Sequence, residues 1–152
     1  MTTRLSTGLR TALAGTGGGF STVFANGIIE VYSGAQPANA DAAVTGTLLL
    51  TITLASGAFT AGTPTNGLTF AAAAAGVAAK TGIWSGNGVA AGTAGWARFK
   101  ANGVDAGALS TVLSRMDMAV GTSGADLNLS NLVIAISSPN TVDTFTFTVP
   151  AQ

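Results

Sequence analysis

The 152-residue chain predicts an all-β fold: a single antiparallel β-sandwich or jelly roll with a short N-terminal helix or arm. Three observations carry that expectation. Segments after Gly27 alternate apolar and polar residues with a period of two. Turn signals rich in Gly and Asn separate those segments at short intervals. Cysteine is absent, so no disulfide framework or thiolate metal site is available and the fold stands on packing and hydrogen bonds. A chain of this length is expected to be one domain, burying roughly 68–70% of the surface it exposes when unfolded.

The elements follow in chain order. Leu5, Leu9 and Leu13 recur every four residues in "RLSTGLRTALAG" and share one helical face, and "GTGGG" ends that helix. Residues 1–19 are therefore expected to form an N-terminal helix or arm, with Gly17, Gly18 and Gly19 as a hinge, ahead of a sandwich domain at 20–152. Two placements are open: the helix packs on its own domain, or the arm swings onto a neighbouring subunit. "IIEVYS", Ile28 to Ser33, sets Ile29 and Val31 against Glu30 and Tyr32 as a half-buried strand. Gln36-Pro37 then turns the chain. Pro37 cannot donate to a sheet ladder, so "ANADAAVTG" is expected outside the sandwich as a candidate contact loop. In "TLLLTITL", Leu48, Leu50, Ile52 and Leu54 face one way and Thr47, Thr51 and Thr53 the other. "LVIAIS", Leu132 to Ser137, reads as a central strand. "TFTFTV", Thr144 to Val149, points Phe145, Phe147 and Val149 inward.

Shorter strands are expected around Leu68–Phe70, Gly82–Trp84, Gly95–Ala101, Arg115–Val120 and Ala125–Leu129, with turns at "TNG" (Thr65 to Gly67), "SGNG" (Ser85 to Gly88) and "ANG" (Ala101 to Gly103). "FAAAAAGVAA", Phe70 to Ala79, reads as irregular or as a short turn of helix.

Charged residues make up 8% of the chain against about 25% in an ordinary domain, six basic and six acidic. No basic patch is available for nucleic acid. The mean hydropathy is +0.50, yet "FAAAAAGVAA" is about half the length of a membrane-spanning helix. The N-terminal segment has two arginines and no continuous apolar core of signal-peptide type, so synthesis in the cytoplasm is expected. A weakly charged surface protects a free monomer poorly against association, and in a dense array it avoids repulsion between copies.

Histidine is absent, which removes the commonest general base and metal ligand. The many serines and threonines have no imidazole to activate them, so an enzyme is not expected. "AAAAAGVAAKTG" carries Ala74 and Ala79 where a phosphate-binding loop requires glycine, and "GTGGGF" ends in Phe20 where a dinucleotide fingerprint has its last glycine. Asp126 and Asn128 read as a polar turn rather than a metal site. No cofactor is expected. Arg98 shares a strand face with Trp96 and Lys100, and Arg115 shares one with Asp117. If those strands are neighbours, Arg98 and Asp117 pair across them. Arg98 is also a candidate for a polar contact patch, and Trp84 and Trp96 are candidate interface anchors.

"ANGIIEVYSGAQPANADAAVTGTLLLTITLASGAF", "AGTAGWARFKANG", "VGTSGADLNL" and "TFTFTVPAQ" resemble, in this order, a family of small virion proteins from tailed bacteriophages. The resemblance covers nearly the whole chain, including "STGLR", and is most specific in "YSGAQPA" and "GTSGADL". Ala97 in "GWARF" departs from it, where a larger side chain is expected. The resemblance implies a capsid decoration or cement protein: β-rich, bound to the major capsid protein on the capsid exterior, assembled as a homodimer or homotrimer, made in the bacterial host cytoplasm, with no nucleic-acid or membrane partner. Candidate contact residues are Arg4, Leu5, Leu9, Arg10, Leu13 and Phe20 of the arm and hinge, Gln36 and Pro37 of the loop, and Trp84, Trp96 and Arg98. The alternative is a tail-fibre or host-surface module that stacks glycans on Trp84, Trp96 and Tyr32.

Overall fold

A computed structural model describes residues 3–15 and 17–149. Met1, Thr2 and Thr16 of the expected arm, and residues 150–152 of the C-terminal segment, lie outside the described residues. The elements are β1 (Arg4–Leu5), α1 (Thr7–Ala14), α2 (Phe20–Val23), β2 (Ile28–Ser33), β3 (Leu48–Leu54), β4 (Thr69–Phe70), β5 (Val77–Thr81), β6 (Trp84–Asn87), β7 (Gly92–Lys100), β8 (Arg115–Gly121), β9 (Leu127–Asn128), β10 (Val133–Ile134), β11 (Pro139–Val142) and β12 (Thr146–Thr148). Among the described residues, nine strands form one sheet with the main order β1-β8-β7-β2-β3-β6-β11, and β12-β5-β4 form a second. Every pairing is antiparallel except β8 with β9. This is the all-β, two-layer architecture expected from the alternation, with short helices at the N-terminal end.

The core lies between the sheets. Ile29, Val31, Leu50, Ile52, Ala97, Phe99, Met116 and Met118 line one face of the large sheet and are all buried. Above them sits an aromatic cluster. Phe20 stacks on Phe147 with centroids 4.0 Å apart, Phe24 lies 4.4 Å from Phe99, and Trp84 contacts Phe70, Phe99 and Phe145. Such ring pairs add to the stabilisation from area burial. Ala97 packs on this face opposite Met118, whereas Trp96 points to the other face, so the small side chain leaves the packing around Trp96 unaffected.

The N-terminal segment is built into the domain. β1 pairs with β8, and the Ser6 N–H donates to the Arg115 carbonyl at 3.0 Å. Ser6 is fully buried and caps α1: its Oγ accepts from the Leu9 N–H at 3.0 Å and the Arg115 N–H at 2.9 Å, and donates to the Leu113 carbonyl at 2.8 Å. Gly8 is required, because a Cβ there would meet the Val112 carbonyl oxygen at 2.4 Å. Leu9 is fully buried in the core, with Leu5 and Leu13 packed against that core. Of the two placements open to the helix, the described residues take the one on their own domain.

Four expectations are corrected. "LVIAIS" contributes only Val133 and Ile134, at an edge, with Val133 64% and Ile136 67% exposed. Ser137 adopts φ 62° and turns the chain there. "SGNG" lies in a strand, since Trp84 to Asn87 pair with both β3 and β11. "FAAAAAGVAA" contains no helix; Phe70 and the residues from Val77 onward form neighbouring strands joined by a tight bridge between Ala74 and Val77. Val149 is exposed rather than inward, while Phe145 is buried as expected.

Candidate functional site

The second face of the large sheet carries six of the chain's twelve charged residues. Residues directly opposite one another on paired strands share a face. One row therefore runs Arg4, Asp117, Arg98, Glu30, Thr51 across β1, β8, β7, β2 and β3. Beside it lie Arg115 and Lys100, and on the other side Trp96 and Tyr32. The cross-strand pairing expected from the sequence is present. Arg98 grips Asp117 in a bidentate fork, Nε to Oδ1 at 2.6 Å and Nη2 to Oδ2 at 2.8 Å, with neither side chain exposed.

Two further pairs complete the layer. Lys100 Nζ lies 2.5 Å from Glu30 Oε2, and Arg115 donates through Nε and Nη2 to Asp105 at 2.7 and 2.6 Å. The Tyr32 hydroxyl donates to Glu30, and the Arg98 guanidinium sits 5.4 Å from the centre of the Trp96 ring, which stacks on Tyr32.

Loops roof these charges. Residues 34–47 cross above β2 and β7: the Arg98 Nη1 donates to the Ala42 carbonyl at 2.9 Å, and Arg4 donates to the Pro37 carbonyl. Residues 101–114 close the other side, supplying Asp105 to Arg115 and its carbonyl to Lys100 at 3.0 Å. The loops are tied together, Val44 N–H to the Gly107 carbonyl at 2.9 Å and Ser110 N–H to the Asp41 carbonyl at 2.8 Å. Thr7 anchors the first loop to α1, its N–H and hydroxyl donating to Asp41 at 2.7 and 2.6 Å.

The ionisations follow from these contacts. The Thr7 hydroxyl bond holds Asp41 below the usual carboxylate range. Burial pushes Asp105 up, but the Arg115 donors, the Gly107 amide and the Lys100 charge outweigh it and the carboxyl ends below that range. Burial dominates at Asp117 and holds it above its ordinary value against the pull of Arg98. Burial, reinforced by the bond to Glu30, raises the Tyr32 phenol far above its ordinary value.

This arrangement relocates the candidate contact residues. Leu9, Phe20, Pro37, Trp84, Trp96 and Arg98 are buried; Arg4, Leu5, Leu13 and Gln36 are half-buried; Arg10 is exposed and bonds Thr7. Leu9, Phe20 and Trp84 belong to the core, and Arg98 and Trp96 to the roofed layer, so none of these five presents a side chain to a partner. Trp84, Trp96 and Tyr32, 5% exposed or less, offer no face to a sugar. The loop after Pro37 lies outside the sheets as expected, and its inner side is a lid. Asp126 and Asn128 fold onto their own backbone neighbourhood, Asp126 accepting the Ala119 N–H and Asn128 the Ala125 N–H, as expected of a polar turn.

The exterior is left with little charge. The three buried pairs hold six of the chain's twelve charged residues. Branched side chains stand out on the roofing loop, Val104 84%, Leu109 75% and Val112 81% exposed. No local sequence signal marks these three, because an aliphatic residue in a loop carries no periodicity. The chain matches no family model, no curated protein and no solved structure in the searches made.

Proposed function

We propose that this chain is a structural virion protein that binds the outer surface of a phage capsid and cements neighbouring capsomers against the outward pressure of packaged DNA. The observation that carries the reading is the distribution of charge. Half of the charged residues are paired beneath two loops, and the outside of one of those loops presents exposed aliphatic side chains. Identical copies crowded on a shell then meet without mutual repulsion, and small residues permit close, flat contact. The resemblance of "YSGAQPA" and "GTSGADL" to small phage virion proteins supports the same reading.

Its physical basis is bivalency. A rigid body that contacts two capsomers keeps one contact while the other opens, so two modest interfaces gain through effective concentration. Each needs only about 800 Å² per partner. The loop 101–114, with Val104, Leu109 and Val112, replaces the buried candidates as the surface offered to the shell or to a second copy.

Particles with and without the protein are compared for the temperature at which they release DNA. A higher release temperature with the protein is expected, and equal temperatures contradict cementing.

A further inference from the structure

We propose that the groove over β3 and β6 is a binding site for a neutral carbohydrate. The polar face of the large sheet is charged and roofed over β2, β7 and β8, but over β3 and β6 it is uncharged and open. A groove of about 340 Å³ lies there, lined by Thr51, Ser56, Phe59, Gly86, Asn87 and Val89 among others, with no charged residue in its lining. That volume suits about one or two sugar rings.

Phe59 is the observation that sets the groove apart. The chain has ten aromatic residues, and nine of them contact another ring; Phe59 alone among the described residues does not, and it is half-buried in the groove wall. An aromatic face held beside polar groups is what the C–H face of a sugar ring packs against. The polar groups are present. The Asn87 side chain is exposed and the Thr51 hydroxyl half-exposed, and neither has a hydrogen-bond partner among the described residues; Ser56 and Ser85 share one bond at 2.8 Å. An amide and hydroxyls, each able to donate and accept, match sugar hydroxyls, and the lack of charge selects a neutral glycan over a sialylated or uronic one.

The groove is pre-formed. Gly86 lets β6 run tight against β3, because a Cβ there would sit 2.1 Å from the Thr51 carbonyl oxygen. The wall begins with Ala55 and Ser56 at φ 51° and 57°, two consecutive non-glycine residues in the left-handed region. Four bonds hold that turn: Ala55 N–H to the Ile83 carbonyl at 2.7 Å, Gly57 N–H to the Leu54 carbonyl at 3.0 Å, the Thr53 hydroxyl to the Gly57 carbonyl at 2.8 Å, and Asn66 Nδ2 to the Ala58 carbonyl at 2.8 Å. Backbone strain retained by surrounding structure concentrates at functional segments, and a rigid wall lowers the ordering cost of binding. A single shallow site binds weakly, and display of many copies on one particle raises the avidity. The site stands apart from the cementing role: it needs no capsid contact, and cementing needs no sugar.

The test uses the full-length protein on a high-density array of neutral and sialylated glycans, followed by NMR titration of the isotopically labelled protein with any neutral glycan bound. Binding to at least one neutral glycan is expected, with shifts at Thr51, Phe59 and Asn87. Phe59→Ala and Asn87→Ala each weaken it about tenfold or more, and Thr146→Ala, on a different strand edge, leaves it unchanged. If Phe59→Ala fails to fold, Asn87→Ala decides alone. No binding to neutral glycans, binding to sialylated glycans only, or neutral binding that survives the substitutions overturns the proposal.

Discussion

The two faces of the large sheet are buried by different means. One packs Ile29, Val31, Phe99 and Met118 against an aromatic cluster, where any well-shaped apolar neighbour contributes and geometry is set by volume. The other buries Arg98, Asp117, Lys100 and Arg115 under two loops, where each group depends on a particular partner at a particular distance. An apolar face tolerates exchange of its parts. A buried charged face tolerates the loss of a whole pair far better than the loss of one member, because an orphaned charge has no water to return to.

The largest expected effects test that asymmetry directly. Asp117→Ala leaves Arg98 buried and unpaired and is expected to cost about 3–5 kcal/mol. Phe99→Ala opens a cavity among five other rings and is expected to cost a similar amount, about 3–5 kcal/mol. The second substitutions separate them. Arg98→Leu added to an Asp117→Leu variant recovers most of the loss, whereas Met116→Ala added to Phe99→Ala deepens it. Urea denaturation of the single and double variants reads this out, and a charged pair whose double variant is no better than Asp117→Leu alone breaks the comparison.

A smaller effect is expected where the N-terminal segment joins the charged face. Ser6→Ala removes the cap of α1 and is expected to cost about 1–2 kcal/mol. It also leaves the Leu113 carbonyl and the Arg115 amide without their side-chain partner. A thermal unfolding midpoint unchanged from the parent would show that residues 4–14 contribute little to the domain. By the same reasoning, deletion of residues 1–19 strips β1 and Leu9 from the domain and is expected to destabilise it.

The smallest effect is the pH dependence. Asp41 and Asp105 titrate below 3.8 in the folded protein and near 3.8 when unfolded, so the stability they contribute is present above 3.8 and is lost as pH falls through their folded values. Asp117 works the other way: its raised value makes the folded state take up a proton first, which favours folding as pH falls toward 3.8. Melting temperatures measured from neutral to acidic pH are expected to fall below 3.8, and Asp105→Asn makes that fall shallower while lowering stability at neutral pH. An unaltered slope in Asp105→Asn removes Asp105 from the account.

Much of the fold was legible because it is written locally. The strand Ile28–Ser33 has the bounds its alternation predicts, and the Arg98–Asp117 pair follows from two strands whose faces could be read separately. What was not legible depends on distant parts of the chain. Alternation marks Glu30, Arg98 and Lys100 as one face but cannot say whether water or a loop covers it, and the cover comes from Ala42 and Asp105 in loops without periodicity. Gly86 reads as a turn residue and is a strand residue, because its missing side chain lets β6 pass the Thr51 carbonyl. "STGLR" reads equally as part of a helix on its own domain or of an arm that swings onto a neighbour. Its first four residues are a cap, an anchor to Asp41, a close approach and a core leucine, all facing the domain, and only Arg10 is exposed.

These inward roles leave the exterior neutral, and the proposed structural role in a virion rests on that exterior. The most direct measurement is the copy number of this chain in purified virions by quantitative mass spectrometry. A capsid decoration protein is expected on the order of hundreds of copies per particle, in fixed ratio to the major capsid protein, as closed shell symmetry requires. A few tens of copies, or none, would contradict the account.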